Sequence, residues 1–480
     1  MSGYSTAADS AKINQNGLQM SAGEMSDLAQ YATEILVERW QQLADERAWE
    51  GDFRDSLASL LDEDPPEEGH PPRHVIDRAV KDVLCNTLRL DHPRSFGFIP
   101  TCPTWPGVLA DYLAAGFNVN AVAWLVASGP SQLEAIVVNW FRQWFGLPEG
   151  AGGLITSGGS AAALHALVAA REAANNPRRA VVYMSDATHS AQMQAARVIG
   201  IPASRIRALP SDQGRLMPDS VAQAVSADRK AGLTPMIVCA NAGTSSRGAI
   251  DPLSELAEIC ADQGIWFHVD AAYGGGAILT QRGAKALKGI DLADSIVFDA
   301  HKWLFQPYEG GCVLVRSADA LEKAFAIQHD VLQDTVWGVK HANPSDLGIQ
   351  TSRSFRALKI WMSIQTFGLA AFRSAIDNGL DLAEHAGEYI RASSVLELMG
   401  GSLSIVCFRV NPGGMDEDAL AHINRVVLAQ MFWHGHAFLS STSLDRRPAL
   451  RLCIVNHTTT WRDVVETLVE IEEWAQEAVS

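Results

Sequence analysis

The chain has 480 residues, of which 47% are hydrophobic and 19% charged, an ordinary globular balance that allows two or three domains around a large core. Against 55 Asp+Glu stand 38 Lys+Arg, a net charge of −17, which argues against nucleic acid or an anionic membrane as the main partner, because both require positive surface. The 7 cysteines are scattered, odd in number and without a CxxC pair, a pattern that fits reduced thiols in a cytoplasmic protein.

The opening "MSGYSTAADSAKINQNG" is small, polar and aperiodic, so about the first 20 residues are expected to be disordered. It lacks the basic start and apolar centre of a signal peptide. No apolar run approaches the roughly 20 residues of a membrane helix. Residues 21–62 carry helical spacing, "DEDPPEEGHPP" breaks it, and 75–90 are helical again. "DHPRSFGFIPTCPTWPG" is an irregular aromatic, proline-rich loop of the kind that often carries function.

From residue 132 the pattern alternates. "SQLEAIVVNWFRQWFG" is helical, and "AGGLITSGGS" leads into the strong helix former "AAALHALVAAREAA". Residues 180–184, 236–240, 265–270, 295–298 and 312–315 are short continuous apolar runs, several of them separated by helical segments such as "DPLSELAEICADQG". Strands buried on both faces and joined by helices predict an α/β fold with a mainly parallel sheet flanked by helices. Past residue 345 the chain turns helical. "SIVCFRV" and "LRLCIVN", mixed with helices, then predict a smaller C-terminal α+β domain.

Four features converge on one chemistry. Ser157, Gly158, Gly159 and Ser160 open a helix, where free N–H groups, the helix dipole and close backbone approach suit a phosphate. Asp270 closes an apolar strand, where open α/β sheets place ligand groups. His189 follows the strand 180–184, and its flat imidazole can cover an aromatic ring. Lys302 lies in "DAHKWLF", among large apolar neighbours that disfavour its charged form. Singly, the glycine turn reads equally well as a turn before an ordinary helix, a lone aspartate there is more often a cap and a lone loop histidine more often a surface or helix-cap residue, and a lysine can snorkel to water. Together they call for pyridoxal 5′-phosphate: an anion cradle, an amine to form an imine with its aldehyde, and a carboxylate to keep the pyridine nitrogen protonated. No metal is called for.

The stretches "DAHKWL" and "HVDAAYGG" resemble those of the group II pyridoxal-phosphate decarboxylases, which include the aromatic L-amino acid, histidine and glutamate decarboxylases. "HPRSFGFIPT", "WLVASGPSQLE", "SDATHS", "NAGTSSRGAID" and "SFRALKIW" follow in the family's order, so the resemblance covers about residues 75–370. It implies fold type I, with an N-terminal helical arm over 1–110, a large cofactor domain over 111–385 and a small domain over 386–480. It implies a homodimer with active sites at the subunit interface. Lys302 is implied to bind the cofactor covalently, with His301 before it, Asp270 on the pyridine nitrogen, Ala272 against the ring and His189 stacked on its other face. Ser160 and the Gly158–Gly159 backbone are implied to hold the phosphate with Asp299, where the family more often has asparagine. Ser245 is implied to lie near the 3-hydroxyl or the phosphate. Phe98, Thr101, Leu90 and Val122 fall on the substrate pocket, the last two where relatives carry tryptophan and phenylalanine.

The implied reaction is decarboxylation of an L-amino acid, aromatic or bulky and hydrophobic, to the amine and CO₂. A closing loop is expected over 326–347, and Val331 stands where relatives carry a catalytic tyrosine. Valine cannot donate a proton, so oxidative decarboxylation–deamination to an aldehyde, ammonia and hydrogen peroxide is the alternative. His329, His341 and His301 are other candidate donors, and Tyr308 is set aside because it follows Lys302 by only six residues. Arg353 and Arg356 are expected to tie the loop base to a helix rather than grip substrate. Transamination and a non-catalytic role on the same fold are further readings, opposed by "HKWLF" and by the presence of Lys302, Asp270 and His189.

Overall fold

A computed structural model describes residues 18–327 and 343–479, arranged as two compact units that divide between Arg89 and Leu90. In the first unit the helix Ala22–Gln42 starts at a capping box. The Ser21 hydroxyl accepts from the Glu24 N–H at 3.2 Å, and the Glu24 carboxylate accepts from the Ser21 N–H at 2.8 Å. This helix buries none of its residues. The unit closes on Arg89, which pairs with Glu46 and Glu50 at 2.9 and 2.7 Å.

The second unit takes in residues 90–110, which the sequence places with the arm. Phe96 there is fully buried, and the Thr104 N–H donates to the Phe305 carbonyl at 2.9 Å. Its strands are β1 Gly152–Thr156, β2 Ala180–Ser185, β3 Ile206–Leu209, β4 Ser211–Asp212, β5 Arg215–Leu216, β6 Thr234–Asn241, β7 Trp266–Asp270, β8 Ser295–Asp299, β9 Gly311–Val315, β10 Leu396–Gly400, β11 Ile405–Val410, β12 Ser440–Leu444 and β13 Arg447–Cys453.

The large sheet has the order β1–β9–β8–β7–β6–β2–β3. β3, β2, β6, β7 and β8 pair in parallel, while β9 runs antiparallel to both β8 and β1. Every residue of β2, β8 and β9 is buried, as continuous apolar runs require when helices cover both faces. This is the mainly parallel α/β sheet expected of fold type I. One core cluster packs Phe141, Phe145 and Phe298 edge to face on one side of the sheet. Another, rich in alanine, seats the helix Gly159–Ala173 close against β8 and β9.

The small sheet, β10–β11–β13–β12, is antiparallel throughout. The helices Glu417–Trp433 and Trp461–Val479 cover it, together with the later part of Ala357–Ala392, which bends at Gly368 where φ is 71°. All 7 cysteines are free. Among the described residues no helix is long and apolar enough to cross a membrane.

Candidate active site

A cavity of about 510 Å³ opens where β1, β2, β6, β7 and β8 end, the edge at which parallel α/β sheets bind ligands. Lys302 enters it from the turn after β8. That turn is held by the Lys302 N–H donating to the Asp299 carbonyl at 3.1 Å. The Thr101 hydroxyl donates to the Lys302 carbonyl at 3.0 Å. Behind it Trp303 is fully buried and stacks on Tyr273 at 5.4 Å.

The lysine's charge state differs from the expectation. Burial, the largest influence, pulls its pKa down, as the apolar neighbours suggested. The Asp299 charge and hydrogen bond at 2.9 Å, helped by Asp270 and the Tyr308 phenol, outweigh it and hold the ammonium above its ordinary value. The apolar neighbours are contiguous with Lys302 in the sequence, whereas the counter-ion that outweighs them lies three residues away and is brought to Nζ by the turn.

Asp270 is held at both oxygens. Oδ1 accepts from the Ala272 N–H at 3.1 Å, and Oδ2 accepts from Gln192 Nε2 at 3.0 Å. Gln192 was missed in the sequence; it lies three residues after His189 on the helix Ser190–Val198, and that helical spacing is the one signal that could have found it. His189 is the N-cap of this helix, and its Nδ1 accepts from the Ala191 N–H at 3.2 Å. That bond leaves the ring proton on Nε2. Beneath Asp270, two residues back on β7, His268 is fully buried. Its Nδ1 lies 2.8 Å from Ser295 Oγ, and burial pushes its pKa down to about 4.

Ser157, Gly158, Gly159 and Ser160 line the end of the cavity where the helix Gly159–Ala173 begins, so the first N–H groups of that helix face it. A Cβ at Gly159 would stand 2.9 Å from Asp299 Oδ2 and 3.3 Å from Ala272 Cβ, so only glycine fits against both. Ser245 and Asn241 line the wall after β6. Asn241 is fixed by Asp251, whose carboxyl burial pushes up to about 6 despite hydrogen bonds from the Leu216 and Asn241 N–H groups.

Ala272, Asp299, His301, Leu90 and Phe98 also line this cavity. His301 is buried, and desolvation together with the Lys302 charge holds its imidazole below the usual value against the pull of Asp299. Phe98 has a φ of 55°, an unfavourable conformation braced by Arg451, which donates to the Phe98 carbonyl at 2.6 Å.

Two expected substrate residues are elsewhere. Thr101 is turned inward to the Lys302 backbone, and Val122 is buried with its carbonyl bonded to the Ser345 N–H; neither is on the cavity wall. Val331, His329 and His341 lie outside the described residues.

Tyr308, set aside on sequence, does line the cavity. The chain folds back after Lys302, with the Gln306 N–H bonded to the Ala300 carbonyl and the His301 N–H to the Gly310 carbonyl, so the Tyr308 ring packs 4.8 Å from His301. The ring is half exposed, and its partial desolvation with the neighbouring Asp299 charge raises the phenol pKa, so it remains protonated. Arg353 pairs with Glu134 at 2.6 Å and donates to two backbone carbonyls, and Arg356 pairs with Glu309 at 2.6 Å.

An anion cradle, an anchored carboxylate, a polarised lysine and an imidazole of fixed tautomer therefore share one cavity, and the buried Asp299 Oδ1 has no hydrogen-bond partner among the described residues. This donor set fits pyridoxal 5′-phosphate. The family model described as the pyridoxal-dependent decarboxylase conserved domain matches residues 55–411. The aromatic-L-amino-acid decarboxylase of Bacillus atrophaeus is 38% identical over 466 residues, covering 96% of this chain and 97% of that protein. The phenylacetaldehyde synthase of Petunia hybrida is 30% identical over 422 residues, 83% of each chain. A solved structure of Oryza sativa TDC with PLP and tryptamine matches with a TM-score of 0.92 at 25% identity, covering 96% of this chain and 99% of that one.

Proposed function

The chain belongs to the pyridoxal-dependent decarboxylase family, a carboxy-lyase using pyridoxal 5′-phosphate, and from that premise we propose that it converts an aromatic or bulky hydrophobic L-amino acid to its amine and CO₂. The observation that carries this reading is the convergence of Lys302, Asp270 and His189 on one cavity from the ends of three parallel strands.

When bound, the cofactor supplies a protonated aromatic ring that withdraws the electron pair left at Cα as CO₂ departs. Lys302 is the attachment amine. Asp270 keeps the proton on the ring nitrogen, and its two anchoring bonds hold it to that task. His189, with its proton on Nε2, covers a ring face. The first N–H groups of the helix Gly159–Ala173, Ser160 and the Gly158–Gly159 backbone bind the phosphate, and Ser245 borders the same wall. Leu90, Phe98 and Ile99 receive the substrate side chain and exclude water; with leucine at position 90, the pocket suits a modest ring or an aliphatic chain better than an indole.

The second reading is oxidative. It consumes one O₂ and one water and yields aldehyde, CO₂, ammonia and hydrogen peroxide. The observation in its favour is Val331, which has no proton to return to Cα. The Petunia hybrida relative is named for an aldehyde-forming activity.

The protein is further proposed to act as a cytoplasmic homodimer with its active sites at the interface. An exposed apolar stripe supports the dimer: Leu109, Tyr112 and Leu113 on the helix Trp105–Gly116, continued by Phe117 at 80% exposure. Free thiols at all 7 cysteines support the compartment.

The test is to follow CO₂, amine, aldehyde and peroxide from each of the twenty amino acids. Amine equal to CO₂ without peroxide supports the first reading. Peroxide equal to CO₂ without amine supports the second. No CO₂ from any of them overturns both.

A further inference from the structure

A second cavity, of about 770 Å³, lies where the large sheet meets the turns of the small one, and among the described residues it shares no lining residue with the cofactor cavity. Four cations from four segments line it: Arg215 of β5, Arg247 after β6, Lys288 after the helix Gln281–Ala286, and Arg447 of β13. None of the four forms an ion pair among the described residues, whereas Arg89, Arg207, Arg353 and Arg409 each have one. In a chain of net charge −17, where acidic partners are in surplus, four unpaired cations around one hollow are not the outcome of an indifferent surface.

Arg247 is half-buried and held in place. Its stem lies against Gly214 and its head against Gly400; a Cβ would stand 2.8 Å from Arg247 Cδ at the first and 3.2 Å from Nη2 at the second. Nη2 donates to the Met399 carbonyl at 3.3 Å, which leaves the other guanidinium N–H groups uncommitted. The helix Leu253–Gln263 starts on the same wall, and no side chain caps it, so its first N–H groups add positive potential. Three acidic residues also line the cavity: Asp251, Glu255 and Asp445. The Asp251 carboxylate is spent inward, accepting from the Leu216 and Asn241 N–H groups at 2.8 and 2.6 Å. Glu255 and Asp445 are left against four cations and a helix end.

We propose that this cavity is a binding site, apart from the active site, for a compact polyanion: a small molecule carrying two or more phosphate or carboxylate charges. Cations gathered within a Debye length repel one another, and a bound polyanion turns that repulsion into attraction. Guanidinium forks match the paired oxygens of either group, and the volume suits a small molecule. The turn 244–249 separates the two cavities. It is closed by the Gly248 N–H to the Thr244 carbonyl at 2.7 Å and the Ala249 N–H to Thr244 Oγ1 at 3.0 Å. Ser245 of this turn lines the cofactor cavity and Arg247 lines the other, so an anion held by Arg247 lies behind the wall that borders the cofactor.

The experiment is isothermal titration calorimetry on the full-length chain, dialysed free of unbound cofactor, in low-salt buffer. Pyrophosphate and citrate are the two probes. At least one should bind at about one per chain, and the stronger of the two names the preferred charged group. Arg247→Gln/Arg447→Gln should weaken that binding about tenfold or more, and Glu255→Gln, which removes an opposing charge, should tighten it about threefold. Neither probe binding by about 10 mM overturns the proposal, as does an affinity unchanged within about twofold in the double variant. Binding lost in Lys302→Ala but kept in the double variant would put the anion in the cofactor cavity and overturns it too. If the double variant does not fold, the exposed Lys288→Gln decides: weakening of about threefold or more supports the site, and anything less overturns it.

Discussion

The floor of the site carries its own pH dependence. His268 is fully buried between β7 and β8, and its Nε2 has no hydrogen-bond partner among the described residues. Burial lowers its pKa to about 4 from 6.5, with Asp270 and the Ser295 bond opposing. Between these values the unfolded chain binds more protons than the fold. The contribution is therefore intact above pH 6.5 and is lost as pH falls toward 4. With each unit of separation worth about 1.4 kcal/mol, the fold loses about 2 kcal/mol from this group between pH 7 and pH 5, and about 3 kcal/mol by pH 4.

Asp270 lies two residues further on the same strand, so cofactor release should follow the same pH range. The perturbation is His268→Gln, which removes the titration. Denaturant unfolding of both proteins at pH 7 and pH 5 isolates the term as a difference of differences, because the carboxylates common to both cancel. The unaltered protein should lose about 2 kcal/mol more than the variant on acidification. A difference below about 0.5 kcal/mol would refute the assignment of a buried, neutral imidazole at this position.

Other outcomes follow from the same geometry. Arg353→Leu strands the buried Glu134 carboxylate and frees Ile155 of β1, so it should cost about 3–5 kcal/mol, with weaker cofactor retention, while Arg353→Leu/Glu134→Leu recovers most of the loss in urea unfolding. Gln192→Leu removes one of the two anchors of Asp270 and leaves its oxygen in a buried wall; cofactor dissociation measured by absorbance should quicken several-fold, and an unchanged rate would show that Ala272 alone holds the carboxylate. Val331→Tyr should raise the amine-to-peroxide ratio if the missing loop donor governs the product. Tyr308→Phe should lower that ratio if the phenol on the cavity wall supplies the proton instead. Unchanged product ratios in both would remove the two side chains from the account of the product.

The strands that hold the site were readable because they are buried on both faces. β2, β6, β7, β8 and β9 are apolar runs with no alternating pattern to confuse them with surface strands. β3 was not readable, as it is four residues at the sheet edge, none fully buried. β12 is a polar edge strand, "SSTSL".

Residue type and position at a strand end were enough to bring Asp270, Lys302, His189 and the glycine turn together. What the sequence could not carry was the direction of side chains after a turn. Thr101 faces the backbone and not the cavity. Tyr308 comes back beside His301 because the intervening chain closes on itself. The charge on Lys302 was misread for a related reason: apolar neighbours are contiguous in sequence, whereas the balance against them is set by the one carboxylate that the turn places at 2.9 Å.

The central claim is that the amine at position 302 carries the cofactor while Asp270 anchors its ring. Freshly purified protein should be reduced with borohydride in the presence of pyridoxal 5′-phosphate, digested and mapped. The account predicts a single phosphopyridoxyl adduct on the peptide containing Lys302, with visible absorbance that is weakened and altered in pH response by Asp270→Asn. An adduct on a different lysine, or none at all, would contradict it.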